Sequence, residues 1–587
     1  MAQVRIAGRA AAPGIARGRW AELSSPTLPA PRSIDPSEAA AEAERVRDSA
    51  KAASRELRDL AAKVREAGHG DEAAIFLAQA AMARDPDLID AAIGAIERDL
   101  IDAIGGVALA ARATSARIAA LDDELLRGRA TDVLDVADRI ARHIAGIESD
   151  AAHLAGPAIV VAADLPPSVT ATLPRDRVLG IALEGASPTA HAAILARAYG
   201  IPAIVSAEGL VAAVRAAGQG VELAIDGSTG VAVVDPDSAE RAHFDALAAA
   251  STEARARDLA EAHDASVTLD GVEVTLLANI GGPDESADAI RLGARGVGLF
   301  RTEFLFLERS APPSEDEQEA VYRQVVAAFA GLPVTIRLLD VGGDKQIPYL
   351  DQPREDNPFL GVRALRLADR RPDLFITQLR ACLRAAVAGP VKVMAPMIAD
   401  AADVARLLGL ARDARAALDR DGLPYGEIAL GVMLEIPSAV LTGDAYLDQL
   451  AFASLGTNDL LQYTLAADRG NTALDRYRDS LHPALLRLVR ESVEASARAG
   501  VELSVCGEMA GDPAAALALV GLGITQLSMS APGLAAVRRA IRGADVGVLQ
   551  AAAGAALRDP GAAEARARFD AVLGATSASG GLVPAAG

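Results

Sequence analysis

Apolar residues follow two different rhythms along this chain. From Ser37 to about Ile147 they recur at helical spacing almost without pause, and breaks at residues 68–70, at Asp85-Pro86 and at Gly128 predict four helices. On either side the apolar runs are short. Val4-Arg-Ile6 and the stretch leading to Ala12-Pro-Gly14 predict a strand pair within residues 1–20, and further strands are predicted at residues 158–162, 178–182, 203–205, 221–225 and 230–234. The helical block, residues 36–147, therefore reads as an insertion into a small α/β domain made of residues 1–22 and 148–235.

After an alanine-rich stretch with spaced charges, read as a linker helix over 236–264, a regular beat begins. Apolar runs at residues 274–280, 296–300, 334–339, 391–397, 428–434, 451–455, 502–505 and 524–529 are each followed by helical sequence. Eight strand–helix units predict a (β/α)8 barrel, here residues 265–575. The tail, 576–587, is rich in Ser, Gly, Ala and Pro and is expected to be disordered.

Composition narrows the class. A chain of 587 residues needs several cores. A formal charge of -21 argues against nucleic acid or an anionic membrane as the main partner, because both call for a basic surface. No charged-then-apolar leader opens the chain, and no apolar run is long enough for membrane insertion, so a soluble, cytoplasmic protein is expected. Two distant cysteines, Cys382 and Cys506, point to no disulfide framework. Residues 36–150 hold 23 acidic and 15 basic side chains, a net of -8 that reads first as solvated surface and second as a docking face for a basic partner.

The chemistry-bearing residues gather at two places. In Ser187-Pro-Thr-Ala-His191, Ser187 suits an N-cap and Pro188 the first helical position, which puts His191 in a first turn. Exposed N–H groups and the helix dipole there favour an anion and keep an imidazole neutral, hence nucleophilic. A histidine that merely fills a helix start is the plain alternative. The other six histidines, His69, His143, His153, His243, His263 and His482, have no identifiable partners.

In the barrel, polar residues follow the strands: Arg301, Arg337 with Asp340, Glu435, Asn458 with Asp459, and Cys506 with Glu508. That is the rim where such barrels carry chemistry. Arg301, Arg337 and Arg363 present forks for phosphate or carboxylate, and Glu435 with Asp459 offers hard oxygens for a magnesium ion shared with a phosphate-bearing ligand, or else a salt bridge. Lys345, after Gly342-Gly-Asp, supports a phosphate or a turn. Cys506 is placed to protonate a carbanion-like carbon, or is simply a small buried residue.

Together these motifs resemble the enzyme I family of the phosphoenolpyruvate:sugar phosphotransferase system, the phosphoenolpyruvate-protein phosphotransferases. The resemblance covers nearly the whole chain. It is carried by Ala12-Pro-Gly-Ile15, the His191 segment, Gly298-Leu-Phe-Arg-Thr-Glu-Phe-Leu-Phe306, Asp340-Val-Gly-Gly-Asp-Lys345, Asn357-Pro-Phe-Leu-Gly361, Gly431-Val-Met-Leu-Glu-Ile-Pro437, Gly456-Thr-Asn-Asp-Leu-Leu-Gln-Tyr-Thr464 and Asp468-Arg-Gly-Asn471.

The resemblance implies a multidomain α/β protein: a swivelling phosphohistidine domain with an inserted helical bundle, followed by the TIM barrel. His191 would take the phosphoryl group on Nε2. Arg301, Arg337, Arg363, Asn458, Asp459 and Arg469 would hold phosphoenolpyruvate, Glu435 and Asp459 would bind Mg²⁺, and Cys506 would protonate the enolate to pyruvate. The helical insert would dock an HPr-like phosphocarrier, and the barrel would form a homodimer. The chain departs from the family's usual Gly-Gly-x-Thr-Ser-His, reading Gly185-Ala-Ser-Pro-Thr-Ala-His191, and has Pro166 where a threonine is common. How the imidazole ring is oriented is thereby left open. Two rival readings are a nucleotide-driven dikinase or synthase, for which the residues before His191 leave no room for a nucleotide-grasping domain, and a regulatory scaffold, against which the intact rim stands.

Overall fold

The computed structural model describes residues 3–23, 28–66, 70–119, 124–147, 154, 156–165, 173–174, 177–185, 191–198, 200–218, 220–307, 309, 311–342, 347, 349–350, 355–469 and 471–579. They belong to two compact units, Met1–Arg255 and Ala256–Gly587.

The first unit is built on eight strands: β1 (Val4–Ala7), β2 (Arg9–Ala12), β3 (Ile15–Glu22), β4 (Ala158–Ala162), β5 (Val178–Leu183), β6 (Ala203–Val205), β7 (Glu222–Asp226) and β8 (Val231–Val234). Their order across the sheet is β1-β8-β7-β3-β4-β5-β6-β2. The strands β3 to β6 run parallel and the rest pair antiparallel. Every residue of β4 is buried, because alternate side chains serve two cores. Val160 and Ala162 pack with Ala192, Ala193 and Ala196 of the helix His191–Ala198, while Ile159 and Val161 pack with Trp20, Leu210 and Val214.

The expected strand pair at the start of the chain is not formed. Strands β1 and β2 pair with β8 and β6, at opposite ends of the sheet order. Only Gly8 separates them, so the sheet must curl until its two edges meet there. A Cβ on Gly8 would stand 2.6 Å from the Val205 carbonyl oxygen. Sequence pattern identified the strands but not the topology that parts them.

Between β3 and β4 lies the helical insert. Among the described residues it has five helices, not the four expected: α1 (Ala39–Glu66), α2 (Gly70–Met82), α3 (Pro86–Asp99), α4 (Ala103–Ala119) and α5 (Glu124–Ala145). Gly128 lies inside α5 and breaks nothing. The unforeseen break is at Leu100, which adopts the left-handed conformation at φ 49° without the glycine that usually marks one. Asp102 then accepts a hydrogen bond from the Gly105 N–H, which starts α4. Residues of all five helices share one core, separate from those of the sheet.

The second unit is a closed barrel of eight parallel strands: β9 (Thr275–Ile280), β10 (Val297–Phe300), β11 (Val334–Arg337), β12 (Val391–Ala395), β13 (Ile428–Leu434), β14 (Phe452–Leu455), β15 (Glu502–Val505) and β16 (Gln526–Ser530). Each neighbour in space is the neighbour in sequence, and β16 closes on β9 with Gln526 opposite Thr275. The expectation of a (β/α)8 barrel is met. Two further helices, Val546–Ala556 and Ala562–Ser579, pack on its last helices, so helix continues past the boundary expected at 575; residues 580–587 lie outside the described ones.

Close approach of backbones makes the first unit sensitive at one glycine. A Cβ on Gly227 would stand 2.0 Å from the Ala12 carbonyl oxygen, a backbone atom that cannot rotate away. Gly227→Ala is expected to destabilise this unit by about 1–3 kcal/mol, seen as a lower urea midpoint for the transition reported by Trp20, the chain's one tryptophan.

Candidate active site at the barrel rim

The C-terminal ends of the barrel strands open onto a cavity of about 820 Å³. Eight residues singled out in the sequence line it together: Arg301, Arg337, Arg363, Glu435, Asn458, Asp459, Arg469 and Cys506. They come from β10 to β15 or from the segments just after those strands, so closure of the barrel is what gathers them. His191 is not among them. It is the first residue of the helix His191–Ala198 in the other unit, while residues 186–190, Pro166 and Lys345 lie outside the described residues.

Buried charge dominates the cavity wall. Asp340 stands between two guanidinium groups: Arg363 donates to it through Nη2 at 2.9 Å to both oxygens and through Nε at 3.1 Å, and Arg337 Nη1 lies 3.4 Å away. Arg337 also donates to Glu303 at 2.7 Å. All four side chains are almost wholly buried. Burial disfavours charge on Arg337, but Glu303, Asp340 and Glu435 outweigh it and hold the guanidinium above its ordinary pKa. Its Nε is buried without a hydrogen-bond partner, so one donor remains for a ligand.

Two more buried carboxylates stand beside this cluster, Glu435 and Asp459. Glu435 accepts from the Met397 N–H at 2.6 Å. Burial pushes its carboxyl up to about 8, with the charges of Asp459 and Asp340 adding to the rise and Arg337 opposing it. Asp459 lies 3.5 Å from Arg363 and 3.3 Å from Arg469, yet its Oδ1 has no well-directed hydrogen bond. An underserved buried carboxylate beside one that resists ionisation is a fitting pair for a divalent cation. Among the described residues no cluster of three or more such ligands is present.

Cys506 directly follows β15 and is buried amid Leu299, Met394, Met433 and Phe452. Burial pushes its thiol up to about 11, so it stays protonated at neutral pH. Its carbonyl accepts from Asn279 Nδ2 at 2.9 Å, and Ser528 donates to Asn279 Oδ1 at 2.6 Å. Gly507 lets the chain turn past β14, where a Cβ would stand 1.9 Å from Thr457 Oγ1. Asn458 then accepts from the Glu508 N–H at 3.0 Å, which ties the segment after β14 to the one after β15.

Sequence reasoning missed several supports. Glu303 lay within a quoted motif, and its buried pairing with Arg337 is the role the pattern did not reveal. Tyr463, which accepts from Arg363 at 3.4 Å and donates to the Phe359 carbonyl at 2.7 Å, lay in another. Arg566, Asp479 and Asp512 also line the cavity, and nothing in their local sequence marked them.

Three family models match the chain: a PEP-utilising enzyme N-terminal domain over residues 7–129, a PEP-utilising enzyme mobile domain over 154–230 and a PEP-utilising enzyme PEP-binding domain over 255–546. The phosphoenolpyruvate-protein phosphotransferase of Geobacillus stearothermophilus is 38% identical over 539 residues, 92% of this chain and 93% of its own. That of Streptomyces coelicolor is 42% identical over 577 residues, 95% of this chain and 97% of its own. A solution structure of Enzyme I (nEIt) aligns with 42% of this chain and 99% of its own at 29% identity, with a TM-score of 0.36.

The raised thiol pKa is open to direct measurement. Iodoacetamide at pH 8 should label Cys506 far more slowly than a free thiol, with the rate climbing as pH rises toward about 11. Cys382, fully buried and pushed up further still, should stay unlabelled in the native protein. Mass spectrometry of timed samples reads both; a free-thiol rate for Cys506 at pH 8 contradicts the buried, protonated state.

Proposed function

The chain belongs to the phosphoenolpyruvate-protein phosphotransferase family, and from that premise we propose that His191 is the residue that takes the phosphoryl group. The enzyme moves phosphoryl from phosphoenolpyruvate to the carrier protein HPr and releases pyruvate, the first general step of the sugar phosphotransferase system. The observation that carries the reading of the site is the meeting, in one cavity, of Arg301, Arg337, Arg363 and Arg469 with two cation-fit carboxylates and a protonated thiol.

Arg301, Arg337, Arg363 and Arg469, with Asn458, hold the phosphate and carboxylate of phosphoenolpyruvate and spread the charge of the transferring group. His191 Nε2 attacks phosphorus in line; the P–N bond forms as the bond from phosphorus to the enolate oxygen breaks. The enolate's methylene carbon takes the proton of the Cys506 thiol, giving pyruvate. The family needs a divalent metal, and we assign Mg²⁺ to Glu435 and Asp459, which would hold it where it would supply positive charge to the phosphate. The P–N bond of phosphorylated His191 then breaks as an imidazole of the carrier attacks the same phosphorus.

His191 belongs to one unit and the cavity to the other, and in this reading the phosphohistidine domain, residues 1–22 with 148–235, swings to bring them together, with 236–264 as its hinge. We assign residues 36–147 to carrier docking and the barrel domain, residues 265–575, to homodimerisation. Among the described residues no helix is long and apolar enough to cross a membrane, which supports placing the work in the cytoplasm.

Incubated with labelled phosphoenolpyruvate and Mg²⁺, the protein should acquire an acid-labile phosphate, lose it to HPr, and acquire none as His191→Ala. An acid-labile phosphoprotein from that variant would sink the assignment. Cys506→Ala should slow exchange of labelled pyruvate into phosphoenolpyruvate by about 10²-fold or more, as loss of a general acid does.

A further inference from the structure

Far from the strands that define the site, the last helix sends one side chain into the cavity wall. Arg566 lies more than 50 residues beyond Asp512, yet it lines the same cavity as Asp479 and Asp512 and binds both. Its Nε and Nη2 form a fork on Asp479 at 2.6 and 2.8 Å, and Nη2 also donates to Asp512 at 2.8 Å. The fork needs a guanidinium, since a lysine offers one point charge and no plane.

The two carboxylates belong to different segments. Asp479 accepts from the Leu481 N–H at 2.9 Å and ends the stretch after β14 that begins with Arg469, itself 3.3 Å from Asp459. Asp512 accepts from the Ala514 N–H at 3.1 Å, capping the helix Pro513–Gly521 that follows Cys506. One guanidinium thus joins the segment that presents a substrate-facing arginine to the segment that presents the thiol. With both carboxylates already on it, Arg566 is poorly placed to hold substrate itself. The three side chains are a quarter to a third exposed, so solvent screens part of the network's contribution to global stability, and its effect on the site is what remains to be measured.

We propose that Arg566 is a positioning residue for phosphoryl transfer, fixing the Arg469 segment and the Cys506 segment relative to each other through Asp479 and Asp512. The inference rests on the reaction assigned above. Misplacing two groups that act on the same substrate by even about 1 Å can cost up to about 10²-fold in rate. The separate anchors predict a division of labour: loss of the Asp479 bond acts through Arg469 on substrate binding, and loss of the Asp512 bond acts through Cys506 on turnover.

The test is exchange of labelled pyruvate into phosphoenolpyruvate by the full chain with Mg²⁺, beside thermal melting and hydrogen exchange. Arg566→Gln should lower kcat/KM by roughly tenfold to a hundredfold with little change in Tm, and Arg566→Lys should recover only part of it. Asp479→Asn should chiefly raise KM, and Asp512→Asn, which keeps a good helix cap, should chiefly lower kcat. In Arg566→Gln, amides of residues 474–482 and 506–512 should exchange faster than in the parent protein. Unchanged kinetics in Arg566→Gln, a loss that tracks a falling Tm at constant KM, or unchanged amide exchange overturns the proposal. If the parent protein shows no pyruvate exchange, the assigned reaction fails instead, and amide exchange still decides whether Arg566 holds the two segments.

Discussion

Asp340, buried between Arg337 and Arg363, is the interaction on which the site depends. Two guanidiniums cannot be buried side by side without an anion, and removing one member of such a group leaves a charge that low-dielectric surroundings cannot solvate. Glu303 on one flank and Asp459 on the other extend the same pattern. Six arginines line the cavity, Arg478 and Arg566 beside Arg301, Arg337, Arg363 and Arg469, and seven carboxylates line it with them, among them Asp340, Glu435 and Asp459. A site so nearly neutral has no large surplus of positive charge to offer a trianion. This is the electrostatic reason for a cation to accompany phosphoenolpyruvate: it compensates the charge that the arginines already share with protein carboxylates.

The same constraint explains which parts of the site could be read from sequence. Arg301, Arg337, Glu435, Asp459 and Cys506 were legible because each follows an apolar run, and position after a barrel strand is a one-dimensional signal. Arg363 and Arg469 were legible only through motifs. What held these residues was not legible in its role. Glu303 pairs with Arg337 across neighbouring strands, and Arg566 reaches Asp479 from 87 residues away, a contact that exists only once the barrel is closed. Periodicity reports burial and local geometry; it carries no record of partners chosen by topology.

The first unit shows the limit from the other side. Its strands were found, yet β1 and β2 part to opposite ends of the sheet order, because β3 runs between β7 and β4 and leaves both edges to the two short leading strands. In the insert, Gly128 suggested a break that helix α5 passes through, while Leu100 supplied one without announcing it. A glycine raises the cost of a helix by only about 1 kcal/mol, which a long packed helix absorbs. A left-handed leucine costs a comparable amount, and is held here by the contacts on either side of it. Effects of this size decide between structures only when tertiary packing is indifferent.

Cys506 and His191 are placed by opposite physical means. The thiol is set at the mouth of the apolar group formed with Leu299, Met394, Met433 and Phe452, where burial keeps its proton on sulfur. The histidine begins a helix whose buried face is Ala192, Ala193 and Ala196, three small side chains that let the helix lie close on the sheet. In the reaction proposed above, the thiol's proton is thus held by apolar burial, and the place of the histidine is set by the close packing of its helix. Each setting is built within a single unit, so neither depends on the other for its local geometry.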